Sequence, residues 1–349
     1  MQPIHDFGYA RLLEDGRAHG LPEWRIRQLW HWLYRRHAEN WEAMHNLPRE
    51  MREHLAGRYT LTTTRLIEAQ AGADAAGAGK LSLALPDGEI IETVLIPSGQ
   101  RLTVCVSSQA GCKYRCAFCA SGQAGFRRNL HTGEMVEQVL TAARRLKTTP
   151  THVVFMGIGE PLDNYENLLG AVRIINDGEG LRIGARRITI STCGVIPGIR
   201  RLAEEGLQVE LSVSLHAAED SLRAKLMPVN RMYPLRELID ACRDYTARTD
   251  RIITFEYTLI DGVNAAPQQA RELALLLRAL PSRVNLIPLS PVQEFSGRPP
   301  APAAVNAFMR VLRQAGLNVT LRNSRGSGVN AACGQLRLRH NPAASASGS

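Results

Sequence analysis

Long apolar runs and cysteines are both scarce in this sequence of 349 residues. No stretch approaches the run of about eighteen apolar residues that a membrane helix requires. The N-terminal segment MQPIHDFGYARLLEDGRAHG carries charges where a secretory signal would need an apolar stretch. The seven cysteines are an odd number, and three of them lie too close together for an ordinary disulfide framework. We therefore expect a reduced, cytoplasmic protein with no membrane partner.

Acidic residues are fewer than basic ones. The chain has 33 Asp and Glu against 42 Lys and Arg, which gives a formal net charge of +9 and a pI near 9.5. An excess of positive charge favours a polyanionic partner, because neutralising phosphates releases counterions. Solvated arginine-rich faces are the alternative, so charge alone favours a nucleic-acid partner only slightly.

Patterning divides the chain into four segments. Residues 1–62 predict a small helical accessory domain whose arginine-rich exterior could contact RNA phosphates. Residues 63–100 predict a linker and a β-hairpin, with a flexible stretch at 69–80 and a Pro-Asp-Gly turn. Residues 101–338 predict a core, and residues 339–349 a disordered tail. We expect the core of the accessory domain to contain all of the chain's tryptophans: Trp24, Trp30, Trp32 and Trp41.

Strand-like and helix-like runs alternate throughout the core segment. The predicted strands cover residues 102–107, 152–157, 187–192, 209–215, 253–259, 283–289 and 318–322. Such alternation predicts a parallel α/β sheet, either a full or partial β/α barrel or a doubly wound sheet. In these folds the chemistry gathers at the carboxyl ends of the strands.

Three cysteines follow the first predicted strand in the run GCKYRCAFCASG, at Cys112, Cys116 and Cys119. A structural zinc site needs four ligands, and no fourth Cys or His lies at a suitable short spacing. A bacterial ferredoxin-type run would use more cysteines and a proline-flanked last one. Three thiolates on a 4Fe–4S cubane would leave one iron open to a substrate or cofactor. The spacing therefore favours such a cluster over three unrelated cysteines.

Other residues at the ends of successive predicted strands, two of them glycines and the rest polar, could line one site. They are Gly157, Gly159 and Glu160 after the second strand, Ser191 in the third, and Ser214 and His216 around the end of the fourth. Each alone is more often a turn, a cap or a satisfied core residue, but together they favour a ligand site.

A remote cysteine, Cys333 in AACGQL, follows the glycine-rich stretch RGSGVN. These neighbours predict an exposed, mobile thiol that could act as a nucleophile. Residues 111–122, which carry the three clustered cysteines, are called the cluster loop. Cys105 precedes this loop and could meet Cys333 in space. Cys193 and Cys242 are interpreted as packing residues.

The segments VCVSSQAGC, GCKYRCAFCASGQAGFRRNL, GIGEPLDNY, STCGVIPGI, VSLHA, FEYTLIDGVN and AACGQL together resemble the RlmN/Cfr family of radical S-adenosylmethionine RNA methyltransferases. The resemblance covers nearly the whole chain. It implies a partial (β/α)6-type radical S-adenosylmethionine barrel with an N-terminal helical accessory domain. It also implies methylation of an adenine carbon, at C2 or alternatively C8, in large-subunit (23S) ribosomal RNA and, for C2 enzymes, in tRNA.

The resemblance further implies roles for individual residues. Cys333 would become S-methylcysteine, Cys105 would release the product through a transient disulfide, and Glu92 would accept a proton. Two S-adenosylmethionine molecules would be used per turnover, one of them at the cluster, where it yields a 5′-deoxyadenosyl radical. An electron donor such as flavodoxin and a monomeric state are further expectations. The positions implied to contact S-adenosylmethionine are Gly159, Glu160, Ser191, Ser214, Leu215, His216 and Ser290.

One residue departs from the family pattern. Ser290 in NLIPLSP stands where members of the family usually have Asn, and its side chain is shorter. A divergent paralogue with another RNA target is therefore an alternative. A radical enzyme acting on a non-RNA substrate and an iron–sulfur or zinc protein that only binds RNA are the others.

Overall fold

The computed structural model describes residues 1–71, 78–322 and 332–340. Two short strands, β1 (Gln2–Pro3) and β2 (Tyr59–Thr60), pair in parallel and join the two ends of the N-terminal unit. Between them lie three helices, α1 (Tyr9–Ala18), α2 (Glu23–Tyr34) and α3 (Arg49–Arg58). This unit matches the helical character predicted for the segment.

Helix α2 carries the core of the N-terminal unit. Apolar residues recur in its sequence at spacings of three and four, which predicts one apolar face, and this face is buried; it consists of Ile26, Leu29, Trp30, Leu33 and Tyr34. The expectation that every tryptophan lies in this core is wrong for Trp24, which is 52% exposed and has the Arg25 guanidinium stacked 3.9 Å from its ring centroid. Trp24 lies in the first turn of α2 and outside the apolar face, so the helix turns it toward solvent.

An antiparallel meander follows the N-terminal unit. It consists of β3 (Arg65–Ala71), β4 (Gly79–Ala84) and β5 (Glu89–Ser98). The predicted hairpin is confirmed, with Gly88 at a φ of +85° in the turn between β4 and β5. The flexible stretch predicted at 69–80 is wrong at both ends, because Ala69–Ala71 extend β3 and Gly79 begins β4. Residues 72–77 lie outside the described part of the chain.

Seven parallel strands form the core of the sheet. They are β6 (Arg101–Cys105), β9 (His152–Phe155), β10 (Ile188–Thr192), β11 (Glu210–Ser214), β12 (Ile253–Leu259), β13 (Ser282–Pro288) and β14 (Asn318–Leu321). The short pair β7 (Gln109–Gly111) and β8 (Phe126–Asn129) flanks the cluster loop, and β15 (Arg339–His340) pairs with β5.

Helices connect the parallel strands. They are α4 (Ala120–Gln123), α5 (Thr132–Leu146), α6 (Tyr165–Asn176), α7 (Ile196–Leu202), α8 (Asp220–Leu226), α9 (Leu235–Thr249), α10 (Pro267–Leu276) and α11 (Pro302–Gln314). Four short 3₁₀ turns lie at Ile4–Asp6, Pro161–Asp163, Ala185–Arg187 and Pro228–Arg231.

The strand order decides between the two predicted architectures. The order β14-β13-β12-β11-β10-β9-β6-β5-β4-β3 never reverses direction, whereas a doubly wound sheet changes direction at a switch point. The sheet ends at β14 on one side and β3 on the other, so it curls into an open, partial β/α barrel. The short strand β14 extends the six-stranded core that the resemblance implies.

The C-terminal segment differs from its prediction. Arg339 and His340 form β15 against Glu89 and Ile90 instead of belonging to a disordered tail. Residues 341–349 lie outside the described residues. None of the helices in the described ranges combines the length and apolar character of a membrane span.

A buried carboxylate fastens the linker to the barrel. Glu137 of α5 is 1% exposed, and its two oxygens accept hydrogen bonds of 2.7–2.9 Å from the backbone N–H groups and hydroxyls of Thr63 and Thr64. Trp30 of α2 connects the N-terminal unit to the barrel, because its Nε1 donates to Asp177 Oδ1, just after α6, at 2.9 Å.

Replacing Glu137 with Ala should lower the free energy of unfolding by roughly 3 kcal/mol, because four donors lose a charged acceptor in a buried place. Urea denaturation followed by circular dichroism measures this loss. Glu204→Ala is the control, since Glu204 forms only an exposed ion pair with Arg248 and should leave the urea midpoint in place. Equal shifts in the two variants would contradict the role given to Glu137.

Candidate active site at the carboxyl ends of the strands

Two adjoining cavities occupy the inside of the barrel. The smaller, about 170 Å³, is lined by Cys112, Cys116 and Cys119 and is called the cysteine pocket. The larger, about 690 Å³, runs along the inner face of the strands and is called the barrel cavity. Cys119 and Cys333 are among the residues that line both, so the two spaces meet beside them.

The cluster loop is fixed by backbone contacts. Cys119 N–H donates to Cys116 O at 3.1 Å, and Ala117 N–H donates to Leu226 O at 2.9 Å. Gly122 packs against the same loop, and a Cβ at this glycine would lie 3.1 Å from the Arg115 Cα. The chain therefore presents its three cysteines to one pocket.

The three cysteines of the pocket suit a 4Fe–4S cubane. Burial raises the pKa of Cys112 to about 12, and burial also raises the pKa values of Cys116 and Cys119. These thiols would ionise readily only with a bound metal as counter-charge. No group of three His, Cys, Asp or Glu among the described residues is arranged around a single metal ion. A cubane does not need that arrangement, because each cysteine binds a different iron and the sulfurs line a wall instead of converging on a point.

Glu160 is held with its carboxylate at the cysteine pocket. It is 3% exposed, and its Oε1 accepts from Leu162 N–H at 3.0 Å while its Oε2 accepts from Cys193 N–H at 2.6 Å. The backbone of Glu160 is also fixed, because its N–H donates to Gln109 Oε1 at 2.8 Å. Burial raises the pKa of Glu160, and the two backbone donors oppose that shift.

The glycines before Glu160 line the pocket, as predicted, and also allow close packing of the backbone. A Cβ at Gly157 would lie 2.7 Å from Ser107 N, and one at Gly159 would lie 2.5 Å from Gln109 Cβ. Gly159 also has a φ of +105°. Both glycines therefore let the loop pack on the segment after β6, and this packing places Glu160.

His216 enters the pocket as a neutral ring. Its Nδ1 accepts from Thr258 N–H at 2.8 Å, so the proton is on Nε2, and burial lowers its pKa to about 3. Its ring meets Phe118 edge-on with centroids 4.8 Å apart. Ser191 and Ser214 line the same pocket, as does Ser290, which is 6% exposed. Leu215 is instead fully buried among core side chains, and its N–H donates to Glu256 O at 3.0 Å while its O accepts from Arg223 Nε at 3.2 Å.

The sequence analysis missed two buried side chains that hold the strand ends. Arg223 is fully buried, and its guanidinium donates to the carbonyls of Cys193 at 2.8 Å and Ser214 at 3.1 Å. Asn264 is also fully buried and donates to His216 O at 2.8 Å. Both could have been suspected from their places after strand ends, but neither forms a recognisable spacing motif.

The segment of Cys333 lies across the cluster loop. Ala120 N–H donates to Gly334 O at 2.8 Å, and the Ser121 hydroxyl donates to Leu336 O at 2.7 Å. Cys333 is exposed, as its neighbours predict; residues 325–330 of the glycine-rich stretch lie outside the described part. All seven cysteines are free thiols in the structure.

Cys105 faces the same barrel cavity as Cys333. Burial raises the pKa of Cys105 to about 12, and the nearby Cys333 contributes to this shift. The proximity of Cys333 likewise raises the pKa of Arg322, which lines both cavities. Cys242 is buried in α9, as its interpretation as a packing residue predicts.

Two buried glutamates differ in their surroundings. Glu92 is 1% exposed, forms ion pairs of 3.0 Å with Lys80 and with Arg339, and accepts from Arg337 N–H at 2.8 Å. It therefore anchors the chain that follows Cys333. Glu256, which the sequence analysis did not single out, lines both cavities and is 5% exposed.

Glu256 is the better placed of the two for proton transfer. Its Oε1 accepts from Asn285 Nδ2 at 3.1 Å, while its Oε2 makes no hydrogen bond within the described ranges. Burial raises its pKa. A buried carboxyl group beside a cavity, with one oxygen that makes no hydrogen bond, is a candidate general base.

Comparison with known proteins gives consistent results. The radical S-adenosylmethionine superfamily model matches residues 106–274, and the model for the ribosomal RNA large subunit methyltransferase N-terminal domain matches residues 6–61. A relative from Desulforudis audaxviator, named probable dual-specificity RNA methyltransferase RlmN, is 48% identical over 88% of this chain and 97% of its own. One of the same name from Symbiobacterium thermophilum is 46% identical over 97% and 92%.

A solved structure covers almost the same length. The crystal structure of a radical S-adenosylmethionine methyltransferase from Sphaerobacter thermophilus superposes with a TM-score of 0.93 at 48% identity. The match covers 97% of this chain and 99% of that one. The likeness therefore includes the N-terminal unit, the hairpin and the barrel.

Substituting Cys116 with Ala should abolish the iron–sulfur absorption of anaerobically reconstituted protein, because a 4Fe–4S cluster would lose one of its thiolates. Iron and sulfide analysis together with visible absorption measures the effect. Cys242→Ala is the matched control, since Cys242 is buried in α9 away from the pocket, and it should retain full cluster content. A normal cluster in Cys116→Ala would exclude this pocket as the cluster site.

Proposed function

The chain belongs to the RlmN family of radical S-adenosylmethionine methyltransferases, which use a 4Fe–4S cluster and S-adenosylmethionine, and on this premise we propose that it methylates an adenine carbon in RNA. The names of its relatives support an RNA substrate. We propose C2 as the carbon, with C8 as the alternative, and large-subunit ribosomal RNA as the substrate, with tRNA as a further one. The cytoplasmic location, monomeric state and flavodoxin-like electron donor stay predictions.

One observation carries the proposal. Cys333 lies where the cysteine pocket meets the barrel cavity, and Cys105 lines that same barrel cavity. A thiol at this junction can receive a methyl group on one side and deliver carbon to a base on the other. An enzyme that used only the cluster would need neither Cys333 nor Cys105.

The residues around the pocket support binding of the cofactors. Cys112, Cys116 and Cys119 would hold the cluster, while Glu160, Ser191, Ser214, His216 and Ser290 would contact S-adenosylmethionine. When both are bound, the cluster and S-adenosylmethionine would supply a 5′-deoxyadenosyl radical. The carboxylate of Glu160 suits a methionine ammonium group, and the neutral Nε2–H of His216 can donate a hydrogen bond.

Cys333 would carry the methyl group and Cys105 would release the product. The Cys333 thiolate would take a methyl group from a first S-adenosylmethionine, which would leave as S-adenosylhomocysteine. The thioether methyl would give a hydrogen atom to the 5′-deoxyadenosyl radical, and its carbon would bond to the adenine carbon; the adduct would then give up one electron to the cluster and the proton of that adenine carbon. The Cys105 thiolate would next attack the Cys333 sulfur, so that the electron pair of the broken sulfur–carbon bond and one proton convert the methylene to the methyl product and a Cys105–Cys333 disulfide remains. Two reducing electrons restore the thiols.

The adenine carbon must also lose its proton. The family resemblance assigns this step to Glu92, but the contacts of Glu92 with Lys80, Arg339 and Arg337 favour an anchoring role. We propose Glu256 as a second candidate for the proton acceptor, because it lines both cavities, its Oε2 makes no hydrogen bond in the described ranges and burial raises its pKa.

Cys333→Ala should lower methyl transfer to RNA by roughly 10³-fold or more, because the carbon carrier is lost. Cys105→Ala should instead accumulate protein covalently bound to RNA, since the adduct can form and cannot be resolved. Transfer of labelled methyl groups and denaturing gel electrophoresis measure the two effects. Cys242→Ala serves as control and should behave as wild type. Full activity in Cys333→Ala would overturn the proposed function.

Glu256→Gln should lower kcat for methyl transfer by roughly 10²-fold and remove the acid limb of the pH–rate profile. The raised pKa of Glu256 places this limb closer to neutral pH than that of an ordinary glutamate, with activity rising as the carboxyl group loses its proton. Formation of 5′-deoxyadenosine without RNA is the control for an intact cofactor site. If Glu92→Gln removes the acid limb and Glu256→Gln keeps it, Glu92 is the proton acceptor.

A further inference from the structure

The barrel cavity reaches the amino edge of the parallel sheet. Its lining includes Arg101, the first residue of β6, Arg283 near the start of β13, and Arg186 just before β10. These three exposed arginines are called the arginine rim. The same cavity ends at Cys105 and Cys333, so one continuous space joins the rim to the thiols.

Described residues of the Cys333 segment lie across part of the opposite edge of this cavity. The Cys333 segment is hydrogen-bonded to the cluster loop through Gly334 and Leu336, and Gln335 Nε2 donates to Pro291 O at 2.9 Å. A base entering from the carboxyl edge would have to displace these contacts. In the described ranges no hydrogen bond of the rim arginines crosses the cavity, so entry at the amino edge would displace none of this kind.

The rim carries positive charge in excess of its counter-charges. Glu210 is the carboxylate that lines the cavity at this edge, and it is paired with Arg251. Burial, and then the neighbouring Arg186 and Arg283, lower the pKa of Arg251; Arg186, Arg283 and Glu210, the partner of Arg251, line the same cavity, so these groups lie in one region. Arg186 and Arg283 have no carboxylate partner in the described parts of the chain. Such a cluster attracts anions.

The positive surface continues onto the N-terminal unit. Burial and the guanidinium groups of Arg36, Arg35 and Arg182 lower the pKa of His31 in α2. Helix α2 therefore lies beside the segment that leads to Arg186, as the hydrogen bond of 2.9 Å from Trp30 Nε1 to Asp177 Oδ1 also shows. A linear polyanion could contact both at once, which a small anionic substrate could not.

The dimensions suit a nucleotide. Arg101 and Cys105 begin and end β6, so their Cα atoms are about 13 Å apart. An arginine side chain and an extended nucleotide can together bridge this distance. Between them the wall carries hydroxyl and amide groups that can bind a nucleoside, from Thr103, Ser212, Thr254 and Asn285.

We propose that the target adenosine enters the barrel through its amino edge, with the arginine rim binding the RNA phosphates that flank it while the base extends to Cys333. This inference rests on the proposed function and adds the route and the phosphate-binding residues. It requires the nucleotide to leave its stack, as in other enzymes that act on a base.

The test compares two double variants of equal charge. Arg186→Glu with Arg283→Glu changes the rim, and Arg236→Glu with Arg310→Glu changes exposed arginines of α9 and α11. Binding of an unmodified large-subunit ribosomal RNA transcript is measured over a series of salt concentrations. The rim variant should bind roughly tenfold or more weakly, with the slope of log K against log salt flattened by about two. The control should bind close to wild type.

Two further readouts separate the possible failures. Formation of 5′-deoxyadenosine without RNA should be unchanged in the rim variant, and Arg186→Lys with Arg283→Lys should restore most of the RNA binding. Equal binding losses in the rim and control variants, or no loss in either, would overturn the inference. If wild-type protein binds RNA through the rim and transfers no methyl group to it, the proposed function fails while the rim stands as an RNA-binding site.

Discussion

The hydrogen bonds between the cluster loop and the Cys333 segment are the constraint on which the site depends. Ser121 and Leu336 are 215 positions apart along the chain, yet they are joined by a bond of 2.7 Å. Without this bond and the one from Ala120 to Gly334, the thiol of Cys333 would have no fixed relation to the cluster cysteines. Glu92 of β5 also binds the segment that follows Cys333, by accepting from Arg337 N–H and pairing with Arg339. The hairpin therefore helps to position this segment.

Buried polar side chains make the rest of the site rigid. Gln109 supports Glu160, Asn264 supports His216, and Arg223 joins the ends of β10 and β11. Each satisfies backbone groups that would otherwise be left unpaired where strands end inside the protein. The cofactor-facing atoms are therefore held in place before any ligand arrives, which reduces the cost of ordering them on binding.

The sequence predicted the features that depend on local spacing. The three clustered cysteines, the apolar face of α2 and the turn at Gly88 are patterns within a few residues, and the strand–helix alternation predicted the parallel sheet. Features that depend on tertiary packing were missed. Three such features are the anchoring contacts of Glu92, the exposure of Trp24 and the Oε2 of Glu256 that makes no hydrogen bond. Each depends on which distant segments pack against the residue. The choice between a barrel and a doubly wound sheet likewise required the strand order.

The central claim is that Cys333 shares one cavity with Cys105 beside the cluster. The most direct measurement is mild oxidation of the cluster-loaded protein with diamide, followed by peptide mapping. A disulfide requires the two Cα atoms to come within about 7 Å of each other. The account predicts a disulfide-linked pair of peptides containing Cys105 and Cys333, with Cys242 remaining a thiol. Oxidation that leaves Cys105 unmodified while Cys333 pairs with other cysteines would contradict it.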